Sequence, residues 1–282
     1  MADPILIGLM ARTPVHVGIG QATESVDLPV ARERTTHWPF VPGSGVKGAF
    51  RVWAGEQAGL EGNDVAELFG REGADSGDDG NAGGLMFSDA RLLLLPVRAL
   101  VKGCRWITSP GLVRRLRRDM ERAGQTPGFE APKVARGEYL GADTDEYLGL
   151  EEREFSKAGE IAPDLIKALA RIAGEDEAWL GERLVILHDD DFVWFARYAL
   201  PVAARNKLDE NKRVAGGALW YEESLAPETF MYTLVGERKA GKLRKFIPGL
   251  ERAPHVQMGG NETIGQGWFR IIRNGEGADG QA

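Results

Sequence analysis

Residues 84–119, GLMFSDARLLLLPVRALVKGCRWITSPGLVRRLRRD, carry the reading that decides the fold. Two strand-length runs, 85–89 and 91–101, follow one another directly. A helical pattern near 110–123 comes next, with Leu112, Leu116 and Met120 as its packed stripe. Consecutive strands before a helix break the strict strand–helix alternation of a parallel α/β sheet. The expectation is an α+β protein with a mainly antiparallel sheet.

Outward from this stretch the pattern continues. Residues 5–11 (ILIGLMA) read as a buried strand ending at the turn Thr13-Pro14, and 18–43 as a Gly- and Pro-rich loop over the surface. After Pro42-Gly43-Ser44, the recurrence of Val46, Phe50 and Trp53 predicts a helix with one buried face. Residues 71–84 read as an acidic, flexible loop, and 125–155 is weakly patterned. A helix is expected near 161–173 and strand-like runs at 183–187, 192–204, 216–222 and 229–236. A short basic helix at 239–246 and a strand at 264–273 follow. No repeat of fixed period is found. Residues 1–273 are expected to form a single elaborated domain, and the tail 274–282, with nothing to bury, to be disordered.

A chain of 282 residues buries one substantial core. It holds no apolar run of the roughly 18 residues a membrane span needs. Its start lacks a basic region ahead of a cleavable apolar core, so a cytoplasmic protein is expected. The lone Cys104 excludes an internal disulfide and a Cys-rich zinc site, and four histidines show no HExxH pattern. Any metal is then expected on carboxylates and water.

The net charge of −7 speaks against phosphate binding, but its distribution does not. Nine basic residues lie between Arg91 and Arg122, against Asp119 and Glu121, and a second basic stretch runs from Arg238 to Arg252. Acid is concentrated elsewhere. Basic segments in an acidic chain fit a protein that holds RNA on one surface.

Several motifs carry candidate chemistry. In PGSGVKGAFR (42–51) a Gly-rich turn opens a helix, whose free amides and dipole favour a phosphate. Lys47 and Arg51, four residues apart, are expected on the face opposite Val46, Phe50 and Trp53, within reach of one anion. The capped helix with an exposed basic face is the bland alternative. In GGNETIGQGW (259–268), Gly259, Gly260, Gly265 and Gly267 permit close backbone approach, while Asn261, Thr263 and Gln266 are donors for phosphate or ribose. A simple turn is the competing reading. In TPVHVGIG (13–20), His16 alternates with Val15 and Val17, a position that is commonly structural. Asp27, within the Pro-restricted segment VDLP, is by default a turn cap. Glu222 and Glu223 are adjacent on a predicted strand, so at most one faces any single site. The sequence lacks an aromatic strand of the RNP type, which favours recognition through the RNA backbone.

Taken in order, TPVHVGIG, VDLPVARERTTHWPFVPGSGVKGAFR, GLMFSDARLLLLPVRAL with WITSPGLVRRLRRD, ALWYEESLAP and VQMGGNETIGQGW resemble the backbone subunit of the type III-B CRISPR (Cmr) RNA-silencing complex, within the RAMP superfamily. Each piece is weakly specific; their ordered combination is not. The chain departs modestly from the pattern at Gly45, where a Ser is expected, which slightly weakens one hydroxyl contact.

The resemblance implies a modified ferredoxin-like (RRM-type) core with insertions, one of them a β-hairpin thumb. It implies a helical filament of several copies along a CRISPR guide RNA, alongside other Cmr subunits, and regular cleavage of a complementary single-stranded target RNA. By position, Ser44, Lys47, Arg51 and the loop holding Gly259, Gly260, Asn261, Thr263, Gly265, Gln266 and Gly267 become guide-binding candidates. Asp27 matches the family's catalytic aspartate and would also hold a divalent cation, Mg²⁺ or Mn²⁺. His16 matches its loop histidine, and Glu222 or Glu223 an accessory acid. Beside this stand a purely structural RNA-coating protein, the related type III-A backbone subunit and a guide-processing endonuclease. A single suitable histidine disfavours the last.

Overall fold

The computed structural model describes residues 3–18, 20, 26–71, 82–208, 210–211 and 213–273. Most of the acidic 71–84 loop and the 274–282 tail lie outside the described residues. Strand β1 (Ile5–Ala11) leads through extended chain to β2 (Phe40–Val41) and helices α1 (Gly43–Glu56) and α2 (Gly62–Phe69). Strands β3 (Leu85–Phe87), β4 (Ala90–Ala99) and β5 (Gly103–Thr108) precede helix α3 (Pro110–Arg122). Three short strands, β6 (Glu138–Gly141), β7 (Tyr147–Leu150) and β8 (Arg153–Gly159), come next. They are followed by α4 (Pro163–Ala173), α5 (Glu177–Arg183), β9 (Leu184–Leu187) and α6 (Asp189–Tyr198). A separate hairpin, β10 (Val202–Leu208) and β11 (Val214–Glu223), precedes β12 (Phe230–Glu237), α7 (Lys242–Arg252), β13 (His255–Gln257) and β14 (Trp268–Arg273).

The main sheet runs β13-β14-β1-β12-β4-β5-β9-β6-β8-β7, and β4 also meets β7 through Ala99 and Leu150. An open antiparallel sheet, β13-β14-β1-β12-β4, therefore joins a barrel-like ring of six strands through the shared β4. Only β5–β9 and β6–β8 are parallel. The α+β class with a mainly antiparallel sheet is what the strand runs predict. The ring is not, because only β4 and β9 of its six strands are expected, while β6, β7 and β8 come from or begin in the weakly patterned 125–155 region and β5 has no sequence expectation.

Strands β1 and β12 are buried almost end to end, since both faces of the sheet are covered, and so they read as continuous apolar runs. On one side Phe50 and Trp53 of α1, Phe69 of α2, Phe87 and Phe246 of α7 form a cluster of stacked and edge-on rings. Trp53 donates its indole N–H to Ala253 O at 3.0 Å, which locks α1 to the end of α7. Such a packed aromatic cluster holds α1 rigidly beneath the C-terminal loop.

The strand reading of 192–204 is corrected. Its first half is helix α6, with Phe192, Phe195 and Ala196 buried at helical spacing. Asp189, Asp190 and Asp191 crowd the first turn, where the helix dipole favours them, and His188 Nδ1 accepts from Asp190 N. Helix α2 is a further element without a sequence expectation.

Candidate functional site

Four segments, two near the N-terminal end and two far along the chain, meet at the base of the β10–β11 hairpin. Residues 13–18 pair with the chain leaving β11, through Val15 N to Leu225 O (3.0 Å) and Leu225 N to Val15 O (2.8 Å). The same residues accept from Ala31 N at Val17 O (2.7 Å), from Gly260 N at His16 O (2.9 Å) and from Gly267 N at Pro14 O (2.9 Å). The 26–32 segment joins β11 through Leu28 N to Tyr221 O and Glu223 N to Leu28 O, both 3.0 Å. His16, Asp27, Glu222, Glu223 and the 259–267 loop are thus brought into one region.

Asp27 is exposed, and its Oδ2 accepts from Tyr221 N at 2.7 Å. The carboxylate takes the place of the next backbone carbonyl in the pairing with β11. That bond orients the group while its second oxygen accepts nothing from the described residues. Among those residues no three His, Cys, Asp or Glu groups gather to form a metal cage. The donor set therefore fits a hard cation only as one carboxylate oxygen completed by water and phosphate oxygens, which is the habit of Mg²⁺.

His16 is half-buried, and its Nδ1 lies 2.7 Å from Glu223 O. A carbonyl only accepts, so Nδ1 carries the proton and Nε2 is the nitrogen left to act. A side chain at position 18 would press on this ring, its Cβ 2.6 Å from Nε2.

The two glutamates are both buried but differently engaged. Glu223 is bound by Arg32 through Nη1 to Oε2 (2.7 Å) and Nη2 to Oε1 (2.6 Å), and Oε2 also accepts from Val30 N at 2.9 Å. Arg32 reaches in addition Ala196 O of α6 at 3.1 Å. A carboxylate so satisfied is a structural anchor, which corrects its candidacy as a catalytic acid. Glu222 accepts at Oε1 from Asn261 Nδ2 (2.6 Å), with Arg205 at 3.5 Å, and keeps Oε2. Arg32 and Arg205 escape a reading of the sequence, and no local signal marks them, because the Arg32–Glu223 contact spans 191 residues.

The glycine loop divides in two. Gly259 (φ +92°) and Gly267 (φ +85°) sit where any Cβ would collide with His16 O and Met258 O respectively. Their lack of a side chain serves the protein's own chain, a correction to the reading that they open a path for a polyanion. Gly260, Thr263 and Gly265 are exposed, and nothing lies within 4 Å of a Cβ built on Gly265. Gln257 stitches the loop, donating to Gly259 O (3.1 Å) and Gln266 O (3.3 Å).

Helix α1 lies beside this loop: Gly45, Gly48, Val52 and Glu56 share a groove with Gln257, Met258 and Gly259. At its start Gly43 N donates to Asp89 Oδ1 at 2.7 Å, and Ser44 is exposed. Lys47 and Arg51 do not stand opposite the buried face; they flank it, half-buried, and the opposite face is the Gly45–Val52 groove. Arg51 donates to Gly70 O at 2.6 Å. Burial and then the like charges of Arg238 and Arg51 push the Lys47 ammonium below its ordinary pKa, the mark of a cationic group that an anion would relieve.

The Arg91–Arg122 stretch is largely spent on the protein itself. Arg91 pairs with Asp119 at 2.5 Å, Arg114 with Asp189 at 2.8 Å, Arg115 with Glu33 at 2.5 Å, Arg105 with Asp143 and Arg117 with Glu130. The expectation of an RNA-gripping basic face there is corrected accordingly. Among the described residues no helix is long and apolar enough to cross a membrane.

A family profile described as the RAMP superfamily matches residues 9–270. The CRISPR system Cmr endoribonuclease Cmr4 of Pyrococcus furiosus is 29% identical over 284 residues, covering 94% of each chain. The crystal structure of oligomeric Cmr4 from Pyrococcus furiosus superposes with a TM-score of 0.78 at 23% identity, covering 98% of this chain and all of that one. A cryo-EM structure of the type III-B Cmr-beta bound to cognate target RNA gives 0.76 at 20%, over 96% and 97% of the two chains. At these identities the two structures speak to the fold.

Proposed function

Because the chain belongs to the RAMP superfamily, we propose that it is the guide-RNA-binding backbone subunit of a type III-B CRISPR effector complex, which assembles as a filament along the guide with other Cmr subunits and cleaves complementary target RNA at regular intervals. Full-length similarity to a relative named as a Cmr endoribonuclease supports the reading. The observation that carries it is the exposed Asp27 carboxylate, fixed by Tyr221 N at the hairpin base beside His16.

The core is read as ferredoxin-like. Strand order β14-β1-β12-β4, with α1 between the first and second strands and α7 between the third and fourth, supports this. The β10–β11 hairpin, a sheet of its own, is the natural thumb. Lodged between guide and target, it displaces a nucleotide. A-form stacking holds the 2′-hydroxyl away from the adjacent phosphate, and a displaced nucleotide rotates it into line with the leaving 5′-oxygen. Asp27 takes the hydroxyl proton on its second oxygen, and His16, in the form protonated at both ring nitrogens, gives the Nε2 proton to the leaving oxygen. Alternatively, Asp27 would hold Mg²⁺ or Mn²⁺ on that second oxygen, and the cation would supply neutralisation of the developing charge. Ser44, Lys47 and the exposed residues of the 260–266 loop hold the guide backbone, and base pairing supplies sequence specificity. The complex is expected in the cytoplasm.

Asp27→Asn tests the reading, since the amide oxygen still accepts from Tyr221 N. Complexes assembled on a guide should bind target RNA as before, while cutting, followed on denaturing gels, falls by about 10²–10⁴-fold. Unchanged cutting would mean that this chain only coats RNA and another subunit cuts.

A further inference from the structure

The sequence offers Asn261 as a donor to phosphate or ribose, but the structure spends both of its amide hydrogens inside the protein. Nδ2 donates to Glu222 Oε1 at 2.6 Å and to Gln266 Oε1 at 2.9 Å. Both partners are oxygens, so the orientation of the amide follows from the network, and what remains outward is Oδ1, an acceptor that repels phosphate. The backbone supports the same geometry. Asn261 is left-handed (φ 63°, ψ 26°), a conformation Asn tolerates, and Gln266 N donates back to Asn261 O at 3.2 Å.

The acceptor of that bond is the carboxylate the cleavage reading leaves unexplained. Glu222 is 6% exposed and stands on the hairpin strand β11, where Arg205 of β10 approaches the same Oε1 at 3.5 Å. With Oε1 held from two sides, the carboxylate cannot turn. We infer that Asn261 is a positioning residue, which clamps Glu222 Oε1 from the C-terminal glycine loop so that Oε2 alone is presented to the RNA at the hairpin base. The inference rests on the proposed cleavage function. It also joins the two RNA-facing elements physically, because the loop and the hairpin share one carboxylate.

The test uses complexes fully assembled on guide RNA. Asn261→Gly keeps the left-handed backbone and removes the donor. It should lower kcat for target cutting about tenfold while KM and guide affinity stay unchanged. Glu222→Gln should lower kcat at least as far, and the double variant should match Glu222→Gln alone, since a residue acting through Glu222 has nothing left to position. Asn261→Asp, which sets a second carboxylate against Glu222, should be no better than Asn261→Gly. A fall in guide affinity or a rise in KM, adding to the Glu222→Gln effect, would overturn the inference and return Asn261 to direct RNA contact. Unaltered kcat in Asn261→Gly would overturn it as well. Should the unsubstituted complex fail to cut, the cleavage reading itself is at fault and this inference falls with it.

Discussion

Helix α3 with its flanking strands and the loops around Asp27 invert what their sequences advertise. The first region is dense in arginine, yet Arg115 forks onto Glu33 and stacks on Trp38 at 4.7 Å, and Arg91 binds the buried Asp119, which also accepts from Tyr232 Oη at 2.8 Å. Burial, and then Asp119, drive the Tyr232 phenol well above its ordinary pKa, so it stays a donor in this network. Of the α3 arginines, Arg118 and Arg122 alone stand exposed without a close carboxylate, the nearest to Arg122 being Asp119 at 4.0 Å. The second region holds few charges, but Asp27 Oδ1, His16 Nε2 and Glu222 Oε2 are left without partners among the described residues. Charge density along a chain measures what must be neutralised; function needs groups that folding oriented and did not consume.

The largest effect that can break this comparison belongs to Arg32. Replacing it by Met leaves Glu223 buried without its partner and should cost about 3–5 kcal/mol in denaturant unfolding. A loss under about 1 kcal/mol would mean that the Asp27 loops are not anchored through this pair. Next comes the glycine loop. Gly259→Ala meets both a positive φ and the His16 carbonyl, and should destabilise by about 1–3 kcal/mol. Gly265→Ala, with a positive φ in open space, should cost about 1 kcal/mol. The difference measures how far close packing on His16, rather than backbone conformation, dictates glycine there. The smallest effect sharpens the electrostatic side. Removing Lys47 and Arg238 together should flatten the salt dependence of guide binding by roughly 0.7 in slope for each phosphate no longer neutralised, whereas removing Arg118 and Arg122 should leave it unchanged. The reverse result would restore α3 as the RNA face.

The legible elements are those whose pattern is local. Helix α1 and the stripe of α3 follow from apolar spacing, because each buries its own face, and strands β1 and β12 follow from continuous apolar runs, because both of their faces are covered. Helix α6 is hidden, since DFVWFARY is apolar on too many positions for its period to stand out, and its acidic first turn is the better signal. Strands β6 to β8 are short and gain their burial by closing a ring, which leaves little trace in any one of them. For the site, the residues are legible and their roles are not. Glu222 and Glu223 are neighbours of one type, yet one is locked to Arg32 and the other keeps an oxygen.

By itself the amino-acid order determined the α+β class, the helix with a glycine start, and the small set of polar residues worth watching, because propensity and periodicity act over a few residues. Only the tertiary structure decided which of those groups remain free. Hydrogen-bond and ion-pair partners are chosen by distance in space, and Glu222 for Asn261, Arg32 for Glu223, Asp189 for Arg114 and Glu33 for Arg115 all lie in distant segments that no short window of sequence contains.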